Sequence, residues 1–416
     1  MSRAAAPGPG RPLLALLLPR AEAARAVEIA WRAGEAVLPL DPAAPAAELR
    51  RALAALRPTH LLDHDGRARL PGGAPVEEGV AAVVATSGTT GTPKGVELTA
   101  AGIQASSRAV SAAVGAGPGD AWLACVPPHS VAGLAIVARA LHAGLPLQVH
   151  ERFDVGMVDR AARDGSATLV SLVPTMLARL LDAGAAVDRF RRILLGGGPV
   201  PAELLARAAE RGAAVSTTYG LTETFGGVVH DGHPLPGVDL TITAEDEIAV
   251  RGPMVMRRYR GDPAATRAAL RGGLLHTGDL GRIGADGRLR VTGRRDDLVI
   301  TGGVNVQPAE VEAVLADHPA VAEVAVAGVP DPEWGQRLVA YVVPEDAAHP
   351  PSLGELRAHA LERLAAAKAP RGLVVMDELP RTPSGKVLRR RLAGPRSATD
   401  PAPSAPASRL GTPPAT

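Results

Sequence analysis

Between residues 80 and about 220, short apolar runs alternate with amphipathic stretches of helical period. "AAVVA" (81–85) precedes a helical pattern near 99–114, and "AWLACV" (121–126) precedes one near 131–143. "LPLQVH", "TLVSLV", "RRILLGG" and "AAVSTTYG" continue the rhythm, with helical segments such as "PAELLARAAERG" between them. Such alternation builds βαβ units, hence an α/β fold on mostly parallel sheets, and it places binding loops at the C-terminal ends of the strands. Three loops of unusual composition fall at such ends: "TSGTTGTPKG" (86–95), "GGGPV" (196–200) and "TYGLTET" (218–224).

The first of these loops sets Thr86, Ser87, Thr89, Thr90 and Thr92 among glycines and follows Pro93 with Lys94. Glycines let backbone N–H groups approach a ligand, hydroxyls donate hydrogen bonds and a lysine adds charge, so together they describe a cradle for phosphate oxygens. The Walker pattern is excluded, because it requires glycine where Pro93 stands. From about 237 to 295 the character changes to short alternating runs with Gly and Asp-Gly turns, which predict antiparallel strands. After Arg294 a helix "PAEVEAVLADHP", strands "AEVAVAGV" and "RLVAYVV", a helix around 352–367 and "GLVVMDELP" describe a small α+β unit. The expected division is a large N-terminal domain over 1–295, a C-terminal domain over 296–393, and a disordered Pro/Ala/Ser/Thr tail over 394–416.

Composition narrows the function classes. With 416 residues, 46% hydrophobic and 21% charged, the chain is a globular protein large enough for more than one domain. Its one cysteine, Cys125, lies in an apolar run; it excludes an internal disulfide framework and is expected to be an inert core thiol. Lys plus Arg number 45 against 43 Asp plus Glu, but residues 381–396 carry basic residues and no acidic one, so the body is mildly acidic. A solvated basic end and only 2% aromatic residues argue against nucleic acid as a partner. The run "LLALLLP" (13–19) is short and soon followed by Arg20, Glu22 and Arg25, so it reads as the first strand rather than a signal peptide. No apolar stretch is long enough for membrane insertion, and a cytoplasmic location is expected. Association into a homo-oligomer is left open.

Five ordered motifs carry a family resemblance: "TSGTTGTPKG" (86–95), "YGLTET" (219–224), "HTGDLG" (276–281), "GRRDDLVITGGVNVQPAEVE" (293–312) and "PRTPSGKVLRR" (380–390). From about residue 26 to 392 the chain resembles the adenylate-forming superfamily of acyl-CoA synthetases, luciferases and peptide-synthetase adenylation domains. The resemblance implies ATP, Mg²⁺ and CoA as cofactor and co-substrates, with an acyl-adenylate formed first and its AMP then displaced by a thiol. It implies that Thr86, Ser87, Gly88, Thr89, Thr90 and Gly91, with Lys94, cradle the departing phosphates. Glu223, assisted by Thr89, would hold the metal. Gly196, Gly197, Gly198, Tyr219, Gly220 and Thr222 would border the nucleotide, and Asp279 with Arg294 would meet the ribose. Lys386 matches the mobile catalytic lysine, Asp296 the hinge about which the small domain turns, and Gly302 and Gly303 the turn that receives the CoA arm.

In detail the chain is most similar to the o-succinylbenzoate–CoA ligases of menaquinone biosynthesis, in their short actinobacterial form. Only 85 residues precede the phosphate loop, which implies a reduced N-terminal sheet, and "RILLGGGPVPAELL" and "TYGLTETFGGVVHDGHPLPGV" match closely. Arg139 and Ser171 stand at the matching acid-binding positions. Arg139 lies in an apolar helical run, where an unpaired guanidinium is costly unless an anionic ligand satisfies it, a carboxylate pairs with it, or it reaches solvent. The family shows an aromatic residue and then His before this run; aligned on the run, Ser130 occupies the His position and His129 is shifted by one, so His129 is a displaced candidate for the acid pocket. Phe225 and Gly226–Gly227 are candidates for its aromatic end. The alternatives are another aryl- or alkanoate–CoA ligase, an enzyme loading a carrier protein, and a nucleotide-binding pseudoenzyme.

Overall fold

The computed structural model describes residues 10–86, 93–381 and 387–393. Ser87, Gly88, Thr89, Thr90, Gly91, Thr92 and Lys386 therefore lie outside the described residues, as does the tail from 394.

The first sheet runs, in spatial order, Arg258–Tyr259, Lys94–Thr99, Val80–Thr86, Ala36–Pro39, Leu13–Leu16, His60–Asp63 and Gly66–Arg69. Its centre is parallel, with Leu13–Leu16 paired to Ala36–Pro39 and to His60–Asp63. The second sheet runs His233–Pro234, Gly226–His230, Val215–Leu221, Arg192–Leu195, Leu169–Leu172, Trp122–Ala124 and Leu147–Val149. Five of these strands are parallel and joined by helices in the order expected from the alternating pattern. The α/β class is thus observed, and even with 85 residues before the phosphate loop the first sheet reaches seven strands.

One strand was not anticipated. Lys94–Thr99 turns back antiparallel on Val80–Thr86, with Thr86 opposite Lys94, so the hydroxyl-rich run connects the two arms of a hairpin instead of leading directly into a helix. Six residues ending at a helix start give too little periodicity to separate strand from helix. Thr99 closes the strand and caps the helix Ala100–Ala113, its side chain accepting the N–H of Gly102.

The helix Val131–Ala143 sits between the two sheets. Leu134, Ala135, Val137 and Ala138 pack with Leu14, Val37 and Phe225 on one side, while Ile136 and Ala140 pack with Trp122, Leu194 and Val228 on the other. Every residue from Gly133 to Ala140 is buried, as expected of a helix apolar around its whole circumference. Gly133 is required where it stands, because a Cβ there would lie 2.1 Å from the carbonyl oxygen of Pro127.

Residues 239–294 form antiparallel strands around Leu274–Ile283, as their alternation predicts. Beyond them, Val304–Val306, Val299–Thr301, Gly335–Pro344 and Val321–Asp331 form a further sheet, with Gly372–Val375 parallel to Gly335–Pro344. Val299, Val306, Val311, Leu315, Leu338 and Leu356 give this part its own core. The helix expected around 352–367 is shorter, Leu353–Leu361, followed by a 3-10 turn at Ala366–Lys368. Ser352 begins it with a reciprocal cap to Glu355.

Candidate active site

The strand Val215–Leu221 and the 3-10 turn Thr222–Thr224 carry four of the expected residues, Tyr219, Gly220, Thr222 and Glu223. Tyr219 points its hydroxyl at Asp279, donating to Oδ2 at 3.0 Å. Asp279, on Leu274–Ile283, also accepts from Nε of Arg294 at 2.6 Å, its partner in register on the neighbouring strand. Burial and the Asp279 charge push the Tyr219 phenol well above its ordinary range, so it remains a donor. Burial opposes the charge of Arg294, but Asp279 outweighs it and holds the guanidinium ionised.

Glu223 accepts the hydroxyl of Tyr259 at Oε1, 2.7 Å away. Tyr259 lies on the edge strand beside Lys94–Thr99, and Lys94 Nζ is 5.2 Å from the centre of its ring. That edge is pinned by Arg260, whose Nη1 donates to the buried Glu97 at 3.0 Å. Lys94, Tyr259 and Glu223 therefore form a continuous line of cation, phenol and carboxylate. Glu223, Tyr259, His276, Arg294 and Asp296 line a cleft of about 160 Å³. Asp296 belongs to the 3-10 turn Arg295–Asp297, immediately after the strand that carries Arg294.

Several of the expected glycines are explained by packing. A Cβ at Gly196 would lie 2.2 Å from Thr218 Oγ1, and one at Gly220 would lie 1.8 Å from the carbonyl oxygen of Gly226. Gly197 has φ +83, in the region that favours glycine, and Gly198 faces open space. Thr222 opens the 3-10 turn, and Thr86 ends the strand Val80–Thr86. Gly302 and Gly303 both have positive φ in the turn between Val299–Thr301 and Val304–Val306, and Gly302 lies against the ring of Trp334.

A second polar group lies deeper. Arg139, on the helix between the sheets, is only 6% exposed. Its Nη1 donates to Ser171 Oγ at 3.4 Å, and its guanidinium lies 5.5 Å from the ring centre of Trp122. Its Nε has no hydrogen-bond partner, and no carboxylate pairs with Arg139 among the described residues. Burial pushes its pKa down to about 10, which leaves it charged at neutral pH. Neither the ordinary ion pair nor escape to solvent accounts for this cation.

His129 is placed elsewhere, with Nε2 3.8 Å from Asp41, and burial lowers its pKa against the pull of that carboxylate. Ser130 caps the helix by accepting the N–H of Gly133 at 3.2 Å, which is a structural use for the position where the family pattern has histidine. Phe225 is wholly buried with Leu134 and Ala135, so it belongs to the core. Cys125 is also buried, and burial pushes its thiol up to about 12, far from a reactive thiolate.

Sequence reasoning did not single out Tyr259, which the fold brings to Glu223 and Lys94. Tyr259 carried a usable signal: it is one of only three tyrosines in the chain, set among arginines in "RRYRGDP".

Residues 67–260 match the family model described as AMP-binding enzyme, and residues 310–386 match the AMP-binding enzyme C-terminal domain. The chain belongs to the AMP-binding enzyme family. Among its relatives, a probable 2-succinylbenzoate–CoA ligase of Mycobacterium tuberculosis is 44% identical over 336 residues, covering 77% of this chain and 87% of that one. The 2-succinylbenzoate–CoA ligase of Geobacillus kaustophilus is 41% identical over 339 residues, covering 76% and 69%. The o-succinylbenzoate CoA synthetase of Bacillus subtilis, solved with its acyl-adenylate intermediate, superposes with TM-score 0.83 at 33% identity, covering 92% of this chain and 88% of that one. An amide bond synthetase from Marinactinospora thermotolerans also superposes, with TM-score 0.82 at 29% identity and 92% and 90% coverage, so the fold by itself does not choose the acid or the acceptor.

Proposed function

We propose that the protein is an AMP-forming acid–thiol ligase that converts o-succinylbenzoate to its CoA thioester. A carboxylate oxygen of the acid attacks the α-phosphorus of ATP, the bond to the β-phosphate oxygen breaks, and pyrophosphate leaves. The CoA sulfur then attacks the acyl carbon and AMP departs with its electron pair. Attack of one anion on another needs fixed cations, and Arg294 in the cleft and Lys94 beside Tyr259 supply them, while the Tyr259 hydroxyl holds Glu223 in place.

Asp279, held by Tyr219 and Arg294, is the acceptor for ribose hydroxyls in this reading. Gly196–Gly198 and Tyr219 border the base, and Thr86 with Ser87–Gly91 cradles the phosphates. Mg²⁺ fits at Glu223: one oxygen takes the Tyr259 hydroxyl, the other has no protein donor among the described residues, and carboxylate oxygen suits a hard cation. When bound, the cation neutralises phosphate charge, with Thr89 assisting. Lys386 is the lysine that bridges carboxylate and α-phosphate, Asp296 is the hinge of a C-terminal domain spanning 296–393, and Gly302 and Gly303 receive the CoA arm.

The observation that carries the choice of acid is Arg139. A diacid activated at one carboxylate must have the other neutralised inside the protein, and a buried guanidinium beside Ser171 with no carboxylate partner among the described residues is suited to that. The test is to supply MgATP and o-succinylbenzoate, measure pyrophosphate release, then add CoA and detect the thioester by mass beside benzoate, cinnamate and medium-chain acids. Thioester from o-succinylbenzoate alone supports the reading. Turnover of a monoacid in its place refutes the diacid assignment while leaving the ligase class standing.

A further inference from the structure

His230 closes the strand Gly226–His230, opposite Thr218, and is 7% exposed. Neither of its ring nitrogens has a hydrogen-bond partner among the described residues, an expensive condition for a buried imidazole. Its position explains the condition. A Cβ placed on Gly227 would lie 3.1 Å from His230 Nε2, and one placed on the adjacent Gly226 would lie 3.8 Å from Arg139 Nη2. The imidazole and the guanidinium therefore approach the same pair of bare glycines, from the second sheet and from the central helix respectively. Trp122, whose ring lies under that guanidinium, has an indole N–H that is also buried and has no partner among the described residues. Unpaired polar atoms on Arg139 itself and on His230 and Trp122 beside it form a set of donors in want of an acceptor among the described residues.

We propose that His230 is a specificity-determining residue of the acid pocket, donating its ring N–H to the same carboxylate that Arg139 neutralises. The inference rests on the diacid reading above and deepens it. Burial and the neighbouring Arg139 charge hold the ring neutral down to about pH 4, so it can donate one hydrogen bond without adding a second buried cation. Gly226 and Gly227 put no side chain between the two donors, and an atom built on Gly226 would keep an ordinary contact distance, 3.8 Å, from Arg139 Nη2. His230 touches the carboxylate that is not activated, so its contribution is to acid binding and selection.

The experiment compares wild type, His230→Phe and His230→Gln, using o-succinylbenzoate and the two monoacids that each lack one of its carboxylates. A hydrogen bond to a charged group sets the scale, so His230→Phe should raise KM for o-succinylbenzoate about 10- to 100-fold. KM for ATP should stay within about twofold, and kcat at saturating acid should change far less than KM. The preference for the diacid over whichever monoacid is still adenylated should fall by the same factor, and His230→Gln, which keeps a donor, should recover part of it. Equal losses on diacid and monoacid, or an unchanged KM in a folded His230→Phe protein, would overturn the inference and make His230 a packing residue. Failure of the underlying reading is visible separately, in wild type, as no preference for the diacid.

Discussion

Replacing Arg139 by Met should move stability and substrate binding in opposite directions. Burial lowers the guanidinium pKa from 12.5 to about 10, with no acidic neighbour among the described residues to offset it. At pH 7, below both values, the folded protein thus bears a charge-burial penalty of about 3 kcal/mol, at roughly 1.4 kcal/mol per unit. Met fills similar volume without charge, so this penalty is relieved. The lost contact with Trp122 removes about 1 kcal/mol. The net expectation is a ligand-free protein about 1–2 kcal/mol more stable, seen as a Tm increase of a few degrees. The same substitution removes the partner of the acid's second carboxylate, at about 3–4 kcal/mol, or roughly 10²- to 10³-fold in KM for o-succinylbenzoate. Thermal melts without ligand and initial rates of pyrophosphate release test both halves. A variant destabilised by more than about 1 kcal/mol with its acid KM unchanged would show that Arg139 is held by the protein for its own stability.

Lys386→Ala should lower the adenylation rate by about 10²- to 10³-fold. Thioester formation from supplied acyl-adenylate should survive, and equal loss of both half-reactions would remove Lys386 from its proposed role. His230 predicts a pH dependence: unfolded, the imidazole takes up a proton near 6.5, whereas in the fold it does so only near 4. Its contribution is complete above pH 6.5 and declines as the pH falls toward 4, by about 2 kcal/mol at pH 5. Urea melts at pH 7.5 and 5 should show this loss in wild type and not in His230→Phe; parallel losses in both would assign the acid sensitivity to other groups. Gly220→Ala should destabilise the protein by about 2 kcal/mol or more, since its methyl would meet the backbone of Gly226. Normal stability with only nucleotide affinity reduced would instead mean that the position is glycine for the ligand.

The architecture was legible wherever secondary-structure period and chain order agree. The apolar runs from Trp122–Ala124 to Val215–Leu221 are strands in the expected sequence, with Val131–Ala143 and Ala202–Glu210 as helices among them. Legibility failed where tertiary partners decide. Lys94–Thr99 is a strand because Val80–Thr86 lies beside it, and nothing local distinguishes its six residues from a helix lead-in. The Lys94–Tyr259–Glu223 line joins positions up to 165 residues apart, through a two-residue edge strand that no periodicity could announce. His129 and Ser130 illustrate a different limit: a motif position names a residue type, but Ser130 is used by the helix end and His129 meets Asp41. The cost of burying Arg139 could be foreseen from its apolar surroundings, whereas the lack of a carboxylate partner required the fold.

The placement of Arg139 on a helix enclosed by both sheets bears on how this protein could be retargeted. Any change of backbone angle along Val131–Ala143 would disturb the packing of Leu134 and Val137 on one side and Ile136 and Ala140 on the other. The anion receptor is thus part of the chassis, rigid by the same packing that gives the chain its shape. Gly226–His230 stands near the rim of the second sheet, with only the short His233–Pro234 strand outside it. Variation in acid preference has freer scope at His230, where a new side chain changes what faces Arg139 and leaves the central helix in place, whereas Gly226, at φ +94, resists any side chain.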